Sequence, residues 1–133
     1  MERLAHVCLD VRNLEKSIRF YTAIGMKNAY DFKKGNKKRF GVYLKSGKGT
    51  FIEMFQLDKK GITQYRPNKY MHICFQVKDI NATARMLKRK KIVQKDRFKW
   101  GEYGELIFAE DPDGNKIEFS WYSRKSPLLK HMK

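Results

Sequence analysis

The chain predicts an α+β fold assembled from two copies of one β-α-β-β-β module. Three observations carry that prediction. The run His6-Val7-Cys8-Leu9-Asp10-Val11-Arg12-Asn13-Leu14 recurs as His72-Ile73-Cys74-Phe75-Gln76-Val77-Lys78-Asp79-Ile80, an offset of 66 residues in a chain of 133. Ile52-Glu53-Met54 recurs as Ile117-Glu118-Phe119 at an offset of 65. Between these markers each half passes through the same succession of alternating and helical hydrophobic patterns.

In the first half, residues 3–11 alternate, with Val7, Leu9 and Val11 on one face and His6, Cys8 and Asp10 on the other, the period of a half-buried strand. Asn13 is a helix cap, Leu14, Ile18, Phe20, Tyr21 and Ile24 an apolar stripe, and Gly25 a left-handed stop. Three strand-like runs follow, Met26–Phe32, Phe40–Leu44 and Thr50–Leu57, separated by the turn-forming Lys34-Gly35-Asn36-Lys37 and Ser46-Gly47-Lys48-Gly49. The second half repeats the order. A strand runs from Tyr70 to Val77, Asp79 caps a helix with Ile80, Thr83, Ala84 and Leu87 at helical spacing, and strands follow near Val93–Phe98, Glu105–Ala109 and Lys116–Tyr122. Asp113-Gly114 supplies a hairpin turn. The expected organisation is one domain over residues 1–133, with module 1 at about 3–57, a linker at 58–69, module 2 at about 70–122 and a basic, poorly ordered tail at 123–133.

Thirty Lys and Arg against fourteen Asp and Glu give a net charge of +16, the usual first hint of a nucleic-acid partner. Most of the crowded basic residues, around Lys33–Lys48 and Arg85–Lys99, are lysines. Lysine is a strongly hydrated point charge, whereas planar recognition of phosphates and bases favours arginine. We therefore read these runs as solvated faces and turns, with a basic rim attracting anionic small-molecule substrates as the functional alternative, and expect no nucleic-acid partner. No apolar run approaches a membrane span, and the start lacks the pattern of a signal peptide, so the expected location is the cytoplasm. The two cysteines occupy equivalent repeat positions and give no disulfide framework.

Strand parity gathers the polar residues that matter. His6 and His72 lie opposite the helix-packing face of their strands, and on the last strand of each half Glu53 and Glu118 do the same, while Ile52, Met54, Ile117 and Phe119 face the helix. A carboxylate in Phe51-Ile52-Glu53-Met54-Phe55 is costly unless its charge is paired or coordinates a metal. Two His and two Glu at matched positions of a duplicated fold point to one metal site, and imidazole with carboxylate suits Zn, Ni, Co, Fe or Mn without choosing among them. Cys8 and Cys74 are placed as neighbours of the site. His131, the third histidine, lies in a tail with no element to hold it.

These residues resemble the vicinal oxygen chelate superfamily, the glyoxalase and bleomycin-resistance group. The resemblance spans residues 3–122 and is strongest in His6–Val11 leading into Ser17-Ile18-Arg19-Phe20-Tyr21 and Ile24-Gly25-Met26, in Met71-His72-Ile73, and in Glu110-Asp111-Pro112-Asp113-Gly114-Asn115-Lys116-Ile117-Glu118. It implies paired βαβββ modules forming a cupped, roughly eight-stranded mixed sheet. It also implies a divalent metal held by His6, Glu53, His72 and Glu118, within one chain or across a homodimer. The implied chemistry is lyase or isomerase conversion of a small carbonyl or hydroxy-acid substrate through a metal-stabilised enediolate, with Glu118 moving the proton and Glu53 the second candidate. Where a bacterial glutathione-using member has a first-strand arginine, this chain has Asp10, and where an asparagine follows the second ligand by four residues it has Leu57. Trp100 and Tyr103 are candidates for walling a different pocket. The alternative reading is a metal-free ligand-sequestration module of the bleomycin-resistance type.

Overall fold

The computed structural model describes residues 4–65 and 72–131, and the chain divides into two compact units, residues 1–68 and 69–133. Among the described residues the architecture is α+β: two four-stranded mixed sheets with three α-helices.

In the first unit β1 (His6–Val11), α1 (Leu14–Ala23), β2 (Lys27–Phe32), β3 (Gly41–Ser46) and β4 (Thr50–Gln56) follow in chain order. The sheet order is β1-β4-β3-β2, with β1 parallel to β4 and the other pairs antiparallel. A parallel neighbour needs a crossover, and α1 with the β2–β3 hairpin provides it. Asn13 caps α1 by accepting from the Lys16 N–H at 2.9 Å. Gly25, at φ +111°, ends the helix, the Met26 and Gly25 N–H groups bonding back to the carbonyls of Tyr21 and Thr22. Leu14, Ile18 and Tyr21 of α1 pack over the apolar face of the sheet with Leu9, Val11, Val42, Leu44, Ile52 and Met54, all buried. Each side chain of this kind contributes roughly 1.5–3 kcal/mol on burial. The Gln56 side chain ties sheet to helix, its oxygen accepting from the Leu14 N–H at 2.8 Å while its nitrogen donates to the carbonyls of Arg12 and Leu57.

Arg39 forms a second tie. Its guanidinium donates twice to Glu15 of α1 at 2.8 Å and once to Asp31 of β2 at 2.9 Å. Beyond β4, α2 (Lys59–Thr63) occupies part of the segment expected to be a plain linker, capped by Asp58, which accepts from the Gly61 N–H at 2.7 Å.

The second unit repeats the plan with β5 (Ile73–Gln76), α3 (Ile80–Arg89), β6 (Asp96–Trp100), β7 (Gly104–Glu110) and β8 (Lys116–Tyr122), in sheet order β5-β8-β7-β6. Tyr70 and Met71, expected to begin the strand, lie outside the described residues. Asp79 caps α3 by accepting from the N–H groups of Asn81 and Ala82. Ile80, Thr83 and Leu87 bury against Ile107, Ala109, Ile117 and Phe119.

Strand β6 starts at Asp96, paired with Phe108, rather than near Val93, although Lys91 takes the left-handed position (φ +57°) that Gly25 fills in the first unit. The Ile92 N–H then returns to the Leu87 carbonyl, and Val93 is left exposed. In the β7–β8 turn the Gly114 N–H bonds the Asp111 carbonyl, so Pro112 and Asp113 form the turn's centre and Gly114, at φ +83°, follows it. Asp113 and Gly114 both belong to the turn, and Gly114 has the positive φ the sequence led us to expect.

The tail is more ordered than its composition suggested. Ser126 is fully buried, and Leu129–His131 forms a 3-10 turn that includes the third histidine. Among the described residues no helix is long and apolar enough to cross a membrane.

Candidate functional site

In the first unit the parallel register of β1 on β4 sets Cys8 beside Glu53, and the antiparallel register of β3 on β4 sets Tyr43 on its other side. Glu53 therefore rises between two cross-strand neighbours. His6, one step further along the same face, brings Nε2 within 3.6 Å of Glu53 Oε2. The carboxylate is largely buried, at 14% side-chain exposure, while the imidazole remains 42% exposed. Tyr43 and Cys8 donate to Glu53, and this holds both protons on: the tyrosine hydroxyl is raised above its ordinary range chiefly by that hydrogen bond. The Cys8 thiol is pushed up to about 11 by desolvation first, then by the hydrogen bond and the charges of Glu53 and Asp10. Around this pair lies an aromatic floor. Tyr43 lies edge-on to His6 at 5.5 Å and to Phe51 at 5.9 Å, and Phe32 joins Tyr43, Phe40 and Phe55.

The second unit builds the equivalent pair more tightly. His72 Nε2 lies 3.0 Å from Glu118 Oε2, with the carboxylate 11% and the imidazole 36% exposed. Register places Cys74 and Phe108 on either side of Glu118. The Cys74 thiol donates to Glu118 Oε1 at 3.5 Å, and the Ser120 hydroxyl donates to the same oxygen. Cys74 also meets the Tyr122 hydroxyl at 3.7 Å, and its thiol is raised mainly by desolvation. Phe108 lies edge-on to His72 at 5.8 Å and carries the Lys116 ammonium 4.7 Å above its ring centre.

Both parity expectations hold within their own unit: His6 meets Glu53, and His72 meets Glu118. Among the described residues neither unit gathers three or more His, Cys, Asp or Glu side chains in a cluster that could hold a metal ion. The donor chemistry of each pair nevertheless fits one. An imidazole nitrogen and a carboxylate oxygen bound to one ion at about 2.0–2.2 Å lie roughly 3.0–3.4 Å apart at neighbouring vertices of an octahedron or tetrahedron. The observed separation is 3.0 Å for His72 and Glu118, within that range, and 3.6 Å for His6 and Glu53, slightly beyond it. Both cysteine thiols lie beside the carboxylates and are raised chiefly by desolvation.

Two residues that orient the carboxylates, Tyr43 and Ser120, were not singled out from the sequence. The signal available was faint: at the offset of 65 that aligns the two glutamates, Tyr43 aligns with Phe108 and Phe55 with Ser120, so hydroxyl and phenyl exchange places. Trp100 and Tyr103 stack edge-to-face at 5.4 Å at the β6–β7 turn, both partly exposed. Phe98 and Trp100 pair with Leu106 and Gly104 and so share the sheet face that carries Glu118.

Known proteins share both sequence and fold with this chain. It is 34% identical to a lactoylglutathione lyase of Neisseria meningitidis, over 88% of each protein. It is 28% identical to glyoxalase I of Saccharomyces cerevisiae over 92% of this chain, but it spans only 45% of that protein's length. The crystal structure of a fosfomycin resistance protein from Listeria monocytogenes superposes with a TM-score of 0.72 at 19% identity, covering 94% of this chain and 97% of that one, a likeness of fold alone. Residues 3–119 match the family described as the Glyoxalase/Bleomycin resistance protein/Dioxygenase superfamily, and with the paired βαβββ modules this shows that the chain belongs to it.

Proposed function

We propose that the protein is a glyoxalase-like, divalent-metal-dependent enzyme performing lyase or isomerase chemistry on a small carbonyl or hydroxy-acid substrate. His6, Glu53, His72 and Glu118 would hold the metal. The observation that carries this reading is the convergence, in each unit, of one imidazole nitrogen and one carboxylate oxygen on the sheet face turned away from the helix. Zn, Ni, Co, Fe and Mn all suit such donors. The bound ion would supply Lewis-acid chemistry, drawing electron density from substrate oxygens and lowering the cost of developing negative charge.

The chain's own residues would do the rest. Glu118 would take the proton from the carbon beside the carbonyl and return it to the neighbouring carbon, with Glu53 the second candidate. Lys116 lies two residues before Glu118 on the same strand face and favours an anionic substrate. Asp10, on the same face as His6, opposes binding of a substrate carboxylate beside β1, which turns the reading away from glutathione conjugates. We take the working assembly to be a homodimer in the cytoplasm.

The test is solvent-deuterium incorporation, followed by proton NMR, on metal-loaded protein offered 2-oxoaldehydes, their hemithioacetals and 2-hydroxy acids. Exchange or turnover at the carbon beside the carbonyl supports the reading. Tight ligand binding with neither exchange nor turnover replaces it with the sequestration module.

A further inference from the structure

The duplicated halves differ at one informative place. In the first unit the neighbour across the strands from Glu53 is Tyr43, and the residue two positions after Glu53 is Phe55. In the second unit the neighbour across from Glu118 is Phe108, and the residue two positions after is Ser120. Each glutamate thus keeps a thiol partner from the parallel first strand, Cys8 or Cys74, and a hydroxyl partner, but the hydroxyl arrives from a different direction. Loss of the cross-strand hydroxyl in one half is matched by gain of an along-strand one.

We infer that Ser120 and Tyr43 are equivalent positioning residues, each orienting one of the two glutamates so that a single carboxylate oxygen is presented beside the histidine. The geometry is clearest at Glu118. Ser120, almost fully buried, and Cys74 both donate to Oε1, which leaves Oε2 beside His72 at 3.0 Å. A carboxylate held this way cannot rotate to offer both oxygens equally without breaking two hydrogen bonds. Groups that fix the orientation of a ligating carboxylate typically change metal affinity about tenfold to hundredfold when removed. The inference rests on the metal reading above and assigns Ser120 and Tyr43 a role that acts through the glutamates, without contact to substrate.

The experiment is calorimetric titration of the metal-free full chain with Co²⁺, together with the visible spectrum of the loaded protein, in the wild type and in Ser120→Ala, Ser120→Thr, Tyr43→Phe and the double variant Ser120→Ala with Phe108→Tyr. Ser120→Ala and Tyr43→Phe are expected to weaken Co²⁺ binding about tenfold to hundredfold and to shift the spectrum, with circular dichroism unchanged. Ser120→Thr keeps the hydroxyl and should bind like the wild type. Phe108→Tyr returns a hydroxyl from the cross-strand side, as Tyr43 provides in the first unit, and should recover most of the affinity lost in Ser120→Ala. Unchanged affinity in Ser120→Ala, or a loss that neither Thr at 120 nor Tyr at 108 reverses, overturns the positioning role while leaving the metal reading standing. A wild type that binds no Co²⁺ or other divalent ion overturns both.

Discussion

His72 Nε2 lies 3.0 Å from Glu118 Oε2, although 46 residues separate the two in sequence. The contact follows from parallel pairing of β5 on β8, which sets Ile73 against Ile117 and leaves His72 one step before the ladder, within reach of Glu118, the first outward-facing side chain of that paired stretch. Substituting His72→Ala is expected to weaken divalent-metal binding by more than about a hundredfold, beyond the usual loss from an orienting group. The imidazole is partly exposed, so the same change should alter folding stability by less than about 1 kcal/mol. Calorimetric metal titration and urea denaturation of one preparation check both halves of the statement.

Arg39 joins α1 to the β2–β3 hairpin through Glu15 and Asp31. Arg39→Met should cost about 1 kcal/mol at neutral pH, at the upper end for a pair that is not fully buried. Glu15 is held below its ordinary value of 4.5 mainly by the hydrogen bond from Arg39, and Asp31 below 3.8 by Asn28 and then Arg39. Both carboxyls are therefore depressed in the folded state. Their contribution is complete above about pH 5 and is lost as the pH falls through the folded values, so the gap between wild type and variant should be flat above pH 5 and close below it. Denaturation midpoints at stepped pH give the profile, and a gap that widens in acid would contradict it.

Lys91 closes α3 at φ +57°, a conformation that costs a side chain roughly 1–2 kcal/mol. Lys91→Gly removes that strain and adds backbone freedom to the unfolded chain, so the net gain should be about 0.5–1 kcal/mol. A variant that melts lower than the wild type would show that the lysine side chain makes a compensating contact.

Gly104 admits the main chain of β8. A methyl group there would fall on the Trp121 carbonyl oxygen, a backbone atom that cannot move aside without parting β7 from β8. Gly104→Ala should destabilise by about 1–3 kcal/mol, read from urea midpoints.

The duplicated pattern, the caps at Asn13 and Asp79, the stop at Gly25 and the outward parity of His6, Glu53, His72 and Glu118 could all be read from the chain, because each depends on local periodicity or on one residue's backbone preference. Features that depend on partners distant in sequence could not. The start of β6 was placed too early because Val93 is exposed and pairing with β7 begins only at Asp96, opposite Phe108. The short helix α2 has only five residues and no apolar stripe to announce it. The Arg39 clamp draws on residues 24 and 8 positions away, and its counterpart swaps partners: Arg97 of β6 bonds Glu105 of β7 and Asn81 of α3. Ser120 and Tyr43 likewise become equivalent only once strand register shows which neighbour of each glutamate carries the hydroxyl.

The most direct test of the metal reading is elemental analysis of protein purified without an affinity tag or chelator, alongside His6→Ala and Glu118→Ala, which remove one ligand from each module. Near-stoichiometric divalent metal in the native chain, lost from both variants, is the predicted result. A native chain that takes up no metal even after reconstitution, or variants that retain it in full, would contradict the account.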